Sequence, residues 1–239
     1  MRTLPLFLTE EHPCSYLPGQ LARSVFVHPS CAMTAEIYGQ LMAQGFRRSG
    51  DDVYKPNCQR CAQCLSVRLP VAEFVPSRSQ KRCWQRNLAT QVSVRPAVFV
   101  QAHYELYLRY QALRHTEGDM ARSSPEEYMA FLGSSWCDTR FVEFAINGQL
   151  VAVAVVDQLA LGWSAVYTFF DPDFAEYSPG VYAVLWQIEH AKQAGLAFLY
   201  LGFWIKECKK MAYKSQYQPM QILLNKQWTE YGDVGLLTV

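Results

Sequence analysis

The 239-residue chain has almost no net charge: 22 Lys and Arg against 21 Asp and Glu leave +1, and only 18% of residues are charged. It has no internal repeat and no low-complexity segment. Half of its residues are hydrophobic, which excludes a disordered chain and provides material for a packed core. Long apolar runs are also missing. Leu150–Val156 and Leu196–Ile205 fall well short of the ~20 residues that span a bilayer, so no membrane partner is expected. The start, MRTLPLFLTEEHPC, meets two acidic residues and a proline too early for a secretory h-region, and a cytoplasmic location is expected. The length suits one large domain or two small ones.

The missing net charge hides an asymmetry. Residues 1–120 carry 14 basic and 9 acidic side chains (+5), and residues 121–239 carry 8 and 12 (−4). Residues 46–95 alone hold 10 basic against 3 acidic, a local +7. Such a stretch suits a polyanion, because each neutralised phosphate releases counterions. A solvated surface with scattered charge would read the same way.

Cysteine is uneven too. Cys58, Cys61 and Cys64 form C-x-x-C-x-x-C, with Cys14 and Cys31 upstream. In a reducing compartment a disulfide framework is not expected. Thiolates two residues apart can converge on one zinc ion or iron–sulfur cluster, with Cys14 as the natural fourth ligand. The second C-x-x-C of a zinc ribbon is absent, and reduced thiols packing a small β-rich region are the plainer alternative.

Periodicity divides the chain near residue 100. Residues 33–44 predict a helix stopped by Gly45, and residues 51–76 predict short strands and turns. Residues 101–115 have helical spacing through Tyr104, Tyr107, Leu108 and Leu113. A second helix is predicted after Ser124-Pro125-Glu126-Glu127, a capping box with proline at the first helical position. Arg140–Ile146 and Leu150–Leu159 alternate around Asn147-Gly148, a type I′ hairpin signal. Trp163–Phe170 predicts a strand, Ser178-Pro179 opens a helix closed at Gly195, and Leu196–Trp204 predicts a buried strand. The expected fold is α+β. A small Cys-containing N-terminal unit (1–100) precedes a mixed sheet with helices (101–239).

Four blocks carry a family likeness: GFRRSGDDVYKPNCQRCAQCLSVRLPVAEFVPSRSQKR (45–82), RHTEGDM (114–120), AVYTFFDPD (165–173) and YLGFWIKECKKMAYKSQYQP (200–219). They resemble the bacterial aminoacyl-tRNA–protein transferases. The nearest branch is the short aspartate/glutamate leucyltransferase type, related to the arginyl-tRNA–protein transferases. The resemblance implies transfer of an amino acid, leucine or arginine, from aminoacyl-tRNA to the N-terminal Asp or Glu of a protein, creating a degradation signal. It also implies that residues 101–239 adopt the acyl-CoA N-acyltransferase (GNAT) fold. Coenzyme-A users of that fold place a Gln/Arg-x-x-Gly-x-Gly/Ala loop at a helix start to hold pyrophosphate. Here the place reads Tyr177-Ser178-Pro179-Gly180-Val181-Tyr182, which argues against acetyl-CoA. Related eukaryotic enzymes carry cysteines thought to hold an iron–sulfur cluster. Cys14 resembles the first of these, but Leu17 stands where the second would be, so Cys58 would have to substitute beside Cys61 and Cys64.

Aminoacyl-tRNA is an activated ester, so the reaction needs positioning more than a strong nucleophile, and no cofactor is required. The acceptor amine needs a proton acceptor, the tetrahedral oxyanion needs donors, and the acidic acceptor needs a cation. Asp171, at a strand end, is a candidate base. Tyr167 and Tyr213 are candidate donors to the oxyanion or leaving oxygen. Arg78, Lys81 and Arg82 are expected to touch the acceptor or the tRNA end, with Arg47 and Arg48 shaping the approach. Lys209, Lys210 and Lys214 are a second basic cluster suited to tRNA phosphate. Trp204 is expected to line the pocket for the transferred side chain. The five histidines lie singly, with no Ser-His-Asp or Cys-His ordering. The rival reading from another class is a non-catalytic, metal-bearing nucleic-acid-binding module.

Overall fold

Short alternating runs and one capped helix organise the start of the chain in the computed structural model, which describes residues 4–114 and 122–232. The chain opens with β1 (Leu6–Leu8), a small hairpin of β2 (His12–Pro13) and β3 (Leu21–Ala22), and β4 (Ser24–Val27). Helix α1 (Ala35–Ala43) begins where Thr34 Oγ1 accepts the Ile37 N–H at 3.2 Å, and it stops at Gly45, whose φ of +91° a side chain would resist. After β5 (Arg47–Ser49) and β6 (Asp52–Pro56), a four-stranded sheet is complete in the order β1-β4-β6-β5. One face of it buries Val25, Val27 and Val53 against Tyr38, Leu41 and Met42 of α1.

The following elements build the main body: β7 (Leu65–Pro70), α2 (Arg78–Arg86), β8 (Gln91–Pro96), α3 (Gln101–Arg114), α4 (Pro125–Leu132), β9 (Thr139–Ile146), β10 (Gln149–Leu159), β11 (Gly162–Phe170), α5 (Pro179–Gln193), β12 (Phe198–Trp204), α6 (Lys209–Ala212), β13 (Gln221–Leu224) and β14 (Gln227–Glu230). The eight strands order as β14-β13-β7-β12-β11-β10-β9-β8. Every neighbouring pair is antiparallel except β11 and β12, which run parallel and are joined by the crossover helix α5. The predicted hairpin joins β9 to β10, with Asn147 and Gly148 both at positive φ, 51° and 80°. The strand–helix–strand order of the GNAT-like expectation is thus present, in an α+β architecture. The two units expected to meet near residue 100 share this sheet, since β7 and β8 precede that point and flank β12 and β9.

Strand β10 shows why both faces are covered. Its alternate residues Ala152, Ala154 and Val156 face α5, through Val184, Leu185, Ile188 and Ala191. Val153 and Val155 point the other way, to Leu106, Tyr107, Tyr128 and Leu132 of α3 and α4. The α4 capping box forms as predicted, with Ser124 Oγ accepting the Glu127 N–H and Glu127 accepting the Ser124 N–H. Helix α3 differs from its predicted stripe. Leu113 is 58% exposed, whereas His103 and Gln111 are buried beside Leu106 and Tyr107. Hydropathy hides such a face because His103 is accommodated by a polar partner, Glu143, at 2.8 Å. His115 and nearly all of the block 114–120 lie outside the described residues. Among the described residues no helix is long and apolar enough to cross a membrane.

Candidate active site at a forked sheet

The parallel pair β11/β12 is joined only over Gly162–Ser164 and Phe198–Tyr200. Beyond that point β11 continues to Phe170 along β10, and β12 continues to Trp204 along β7. The two strands therefore diverge, and a fork opens in the middle of the sheet. Register shifts mark the divergence on both sides, between Val155 and Val156 in β10 and between Tyr200 and Gly202 in β12. Gly202 has φ of +78°, a conformation that side chains avoid.

Tyr167 lies on the β11 side of the fork. Gln111 Nε2 of α3 donates to its phenol oxygen at 3.0 Å, which leaves the phenol's own proton free to donate. Burial, with Tyr110 nearby, pushes its pKa up, so it stays protonated. Tyr213 and Lys214 open the 3₁₀ turn Tyr213–Gln216 that follows α6. Tyr213 is 42% exposed, yet the surrounding protein, again with Tyr110 nearby, pushes its pKa up to about 12. Lys214 is buried, and its Nζ donates to the Phe203 carbonyl of β12 at 2.5 Å. Burial first, and then the positive charge of Arg47, lowers its pKa to about 7. A surface role for Lys214 on tRNA phosphate is thereby corrected, because the side chain reaches into the molecule. Lys209 and Lys210 remain at the surface on α6.

Other candidates fall elsewhere. Asp171 Oδ2 receives Arg109 Nη1 at 2.8 Å and its Oδ1 receives the Asp173 N–H at 3.0 Å. Arg109 also reaches Asp173. Asp171 thus caps a turn and holds an ion pair, which leaves it poorly placed as a base. Trp204 packs into the main core, donating from Nε1 to Ala212 O. Arg48 shapes no approach path. It is enclosed, and its guanidinium is engaged by Asp157, Thr139 and the carbonyls of Gly50, Leu132 and Gly133. Burial alone would lower its pKa, but Asp157 overrides this and raises it. Arg47, its neighbour in sequence, faces β12 instead, donating to Gly202 O at 3.5 Å.

Helix α2 presents Arg78, Lys81 and Arg82 to solvent with no acidic residue on the helix. Its inner side bridges two parts of the site. Gln80 donates to Gln216 O in the Lys214 turn, while Asn87 donates to Tyr177 O at the start of α5. Cys83 and Arg86 also contact the carbonyls of residues 176–178. At that start, a Cβ on Gly180 would meet the Phe170 ring at 3.1 Å, so packing accounts for the glycine without a phosphate. Pro179 supplies no N–H there.

The cysteines are all free thiols. Cys64 sits within electrostatic range of Cys58, Cys14 and Cys61, and burial above all pushes its thiol up to about 12. Among the described residues no three His, Cys, Asp or Glu side chains are disposed to hold a metal ion. The donors as arranged do not fit a metal centre, and no step is routed through one. Sequence reasoning missed Gln111 and Arg109. The only available signal was a polar residue four positions after Tyr107 and another two after it, and neither stands out in a helix of mixed hydropathy.

The profile of the arginine-tRNA-protein transferase N terminus matches residues 12–82, and that of the C terminus matches residues 102–224. The chain is 45% identical over 228 residues to an aspartate/glutamate leucyltransferase of Hahella chejuensis, covering 95% of this chain and 97% of that protein. It is 48% identical over 225 residues to an aspartate/glutamate leucyltransferase of Pseudomonas syringae pv. tomato, covering 94% and 96%. Among solved structures, L-PGS from Bacillus licheniformis is similar at 11% identity and a TM-score of 0.41, over 60% of this chain and 47% of that one.

Proposed function

The chain belongs to the arginine-tRNA-protein transferase family, in its aspartate/glutamate leucyltransferase branch, and from that premise we propose that the forked sheet transfers leucine from leucyl-tRNA to the N-terminal Asp or Glu of acceptor proteins. The added leucine marks the acceptor for proteolysis, and the reaction takes place in the cytoplasm. The observation that carries this reading is the fork between β11 and β12, flanked by phenols that burial keeps protonated.

The acceptor α-amine, with an ordinary pKa of about 7.7–8.0, is partly neutral at pH 7 and attacks the ester carbonyl directly. A tetrahedral oxyanion forms, its bond to the terminal ribose oxygen breaks, and that oxygen leaves with the proton that the attacking amine gives up. Tyr213 and Tyr167 are the donors suited to the oxyanion and to that leaving oxygen, since both phenols keep their protons at neutral pH. Held geometry supplies the rest of the rate. Arg78, Lys81, Arg82, Lys209 and Lys210 suit the tRNA phosphates.

The donor side chain is supported by a second fact. An arginyl donor would call for a buried carboxylate free to receive its guanidinium. Among the described residues the buried carboxylates are Asp157 and Asp171, and both are already paired, with Arg48 and Arg109. Leucine needs no such partner. The test incubates purified protein with labelled Leu-tRNA or Arg-tRNA and peptides beginning Asp, Glu, Lys or Ala. Transfer from Leu-tRNA to the acidic peptides alone is expected, and no transfer from Leu-tRNA overturns the reading.

A further inference from the structure

Adjacent arginines in β5 meet opposite fates. Arg48 has a carboxylate; Arg47 has none. Arg47 is 5% exposed, and its guanidinium lies 5.7 and 5.6 Å from the ring centroids of Tyr200 and Phe203. Nη1 donates to the Phe46 carbonyl at 2.6 Å, but Nε is buried without a hydrogen-bond partner. Lys214, 6% exposed, lies within electrostatic range of Arg47, and its ammonium donates to the Phe203 carbonyl and the Met211 sulfur and lies 5.9 Å from the Tyr213 ring centroid. Among the described residues neither cation makes an ion pair.

A buried guanidinium beside a lysine that keeps its proton only to about pH 7, because of burial and that guanidinium, is costly unless an anion joins the pair. The nearby thiol and phenols do not serve. Burial pushes the Cys64 thiol up to about 12 and the Tyr38 and Tyr54 phenols up as well, so all three are neutral. The surroundings of Arg47 follow from the register. Phe7 pairs with Phe26, Phe26 with Tyr54, and Tyr54 with Arg47, so one row crosses the small sheet from its exposed edge to the buried guanidinium. The rings stack at 5.6 and 5.3 Å, and Tyr54 meets Phe203 of β12. A cleft of about 390 Å³ is lined in part by Leu17, Gln63 and Glu207. These are the chain neighbours of Tyr16, Cys64 and Cys208, and the two thiols are in electrostatic range of Lys214.

We propose that Arg47 and Lys214 together receive the side-chain carboxylate of the acceptor's N-terminal Asp or Glu. The inference rests on the leucyl-transfer reading. A carboxylate on one or two methylenes can reach two nearly enclosed cations, whereas a phosphodiester flanked by riboses is too bulky and finds exposed cations on α2 and α6. Discrimination follows, because an N-terminal Asn or Gln leaves both charges buried without an anion.

The test compares wild type with Arg47→Met and Lys214→Met, using peptides that begin Asp, Glu, Asn or Gln. Transfer kinetics are recorded with peptide varied and with Leu-tRNA varied. Thermal shifts are recorded with peptide alone. Wild type is expected to prefer Asp over Asn by about 100-fold or more in kcat/KM, and to be stabilised by the Asp peptide but not the Asn peptide. Each variant should raise the KM for acidic peptides at least tenfold, leave the KM for Leu-tRNA unchanged, and lose the peptide-induced shift. Should Arg47→Met fail to fold, Lys214→Met and Arg47→Lys decide the matter, the latter retaining part of the preference. A preference for Asp that survives in the folded variants overturns the receptor, as does a loss confined to the KM for Leu-tRNA. A wild type that transfers nothing yet is stabilised by the Asp peptide through Arg47 overturns the transferase reading and keeps the receptor. Absence of both transfer and stabilisation overturns both.

Discussion

Arg48 and Asp157 meet in the interior at two points, Nε to Oδ2 and Nη2 to Oδ1, each at 2.6 Å, with neither side chain open to solvent. The pair ties β5 of the small sheet to β10 of the large one. Removing one partner leaves a buried charge without its counterion. Asp157→Asn and Arg48→Met are therefore each expected to lose about 3–5 kcal/mol of folding stability, read from urea denaturation midpoints. A loss within the range of an exposed pair would mean that water reaches the site.

Lys214 makes stability depend on pH. An unfolded lysine keeps its proton to about 10.5, whereas burial and the charge of Arg47 bring the folded group to about 7, with Cys208 and Cys64 also in range. Between those values the unfolded chain binds more protons, so this group's contribution to stability rises with pH from about 7 upward and falls as the pH drops to 7. The gain in Tm from pH 6.5 to 8.5 should be larger in wild type than in Lys214→Met. Equal gains would place Lys214 in water.

Tyr213→Phe removes one donor and little volume. A fall in kcat of about 100-fold is expected, the size associated with losing one oxyanion donor, with the KM for the acidic peptide little changed. Because the phenol titrates near 12, wild-type activity should show no loss from Tyr213 ionisation up to pH 10. A Tyr213→Phe variant of undiminished kcat would remove this residue from the reaction.

Arg78→Glu with Arg82→Glu reverses two exposed charges on α2. The KM for Leu-tRNA should rise by at least tenfold, and the slope of log KM against log salt should flatten by about 1 for each lost phosphate contact. Peptide KM should be unchanged. An unaltered salt slope would show that the acceptor arm lies elsewhere.

Much of the fold was legible because local signals agreed with it. Thr34 and Gly45 bounded α1, Ser124 and Glu127 capped α4, and Asn147-Gly148 turned the hairpin. The site was less legible. Nothing in GFRRSG tells one arginine from the next. Their opposite surroundings come from alternation along β5, with partners 109 and 155 residues further on, Asp157 and the Gly202 carbonyl. Lys214 looked like part of a surface cluster because its sequence neighbours are polar, and only a turn at the fork brings it inward. Asp171 looked catalytic from its place at a strand end, but the residue that engages it, Arg109, lies on a helix whose spacing carries no such signal.

The order of the eight strands bears on how this protein can be handled. Trimming at residue 100 would strip β7 from β12 and β8 from β9 and leave two long apolar strands with open edges. It would also remove α2, whose Gln80 and Asn87 hold the Lys214 turn and the start of α5. A minimal leucylating tag-writer cut from the C-terminal half is thus expected to aggregate rather than fold, and shortening the enzyme for use in other cells has to begin at the termini. The small sheet is no more dispensable, for it carries Arg47, which is set against β12 at the fork.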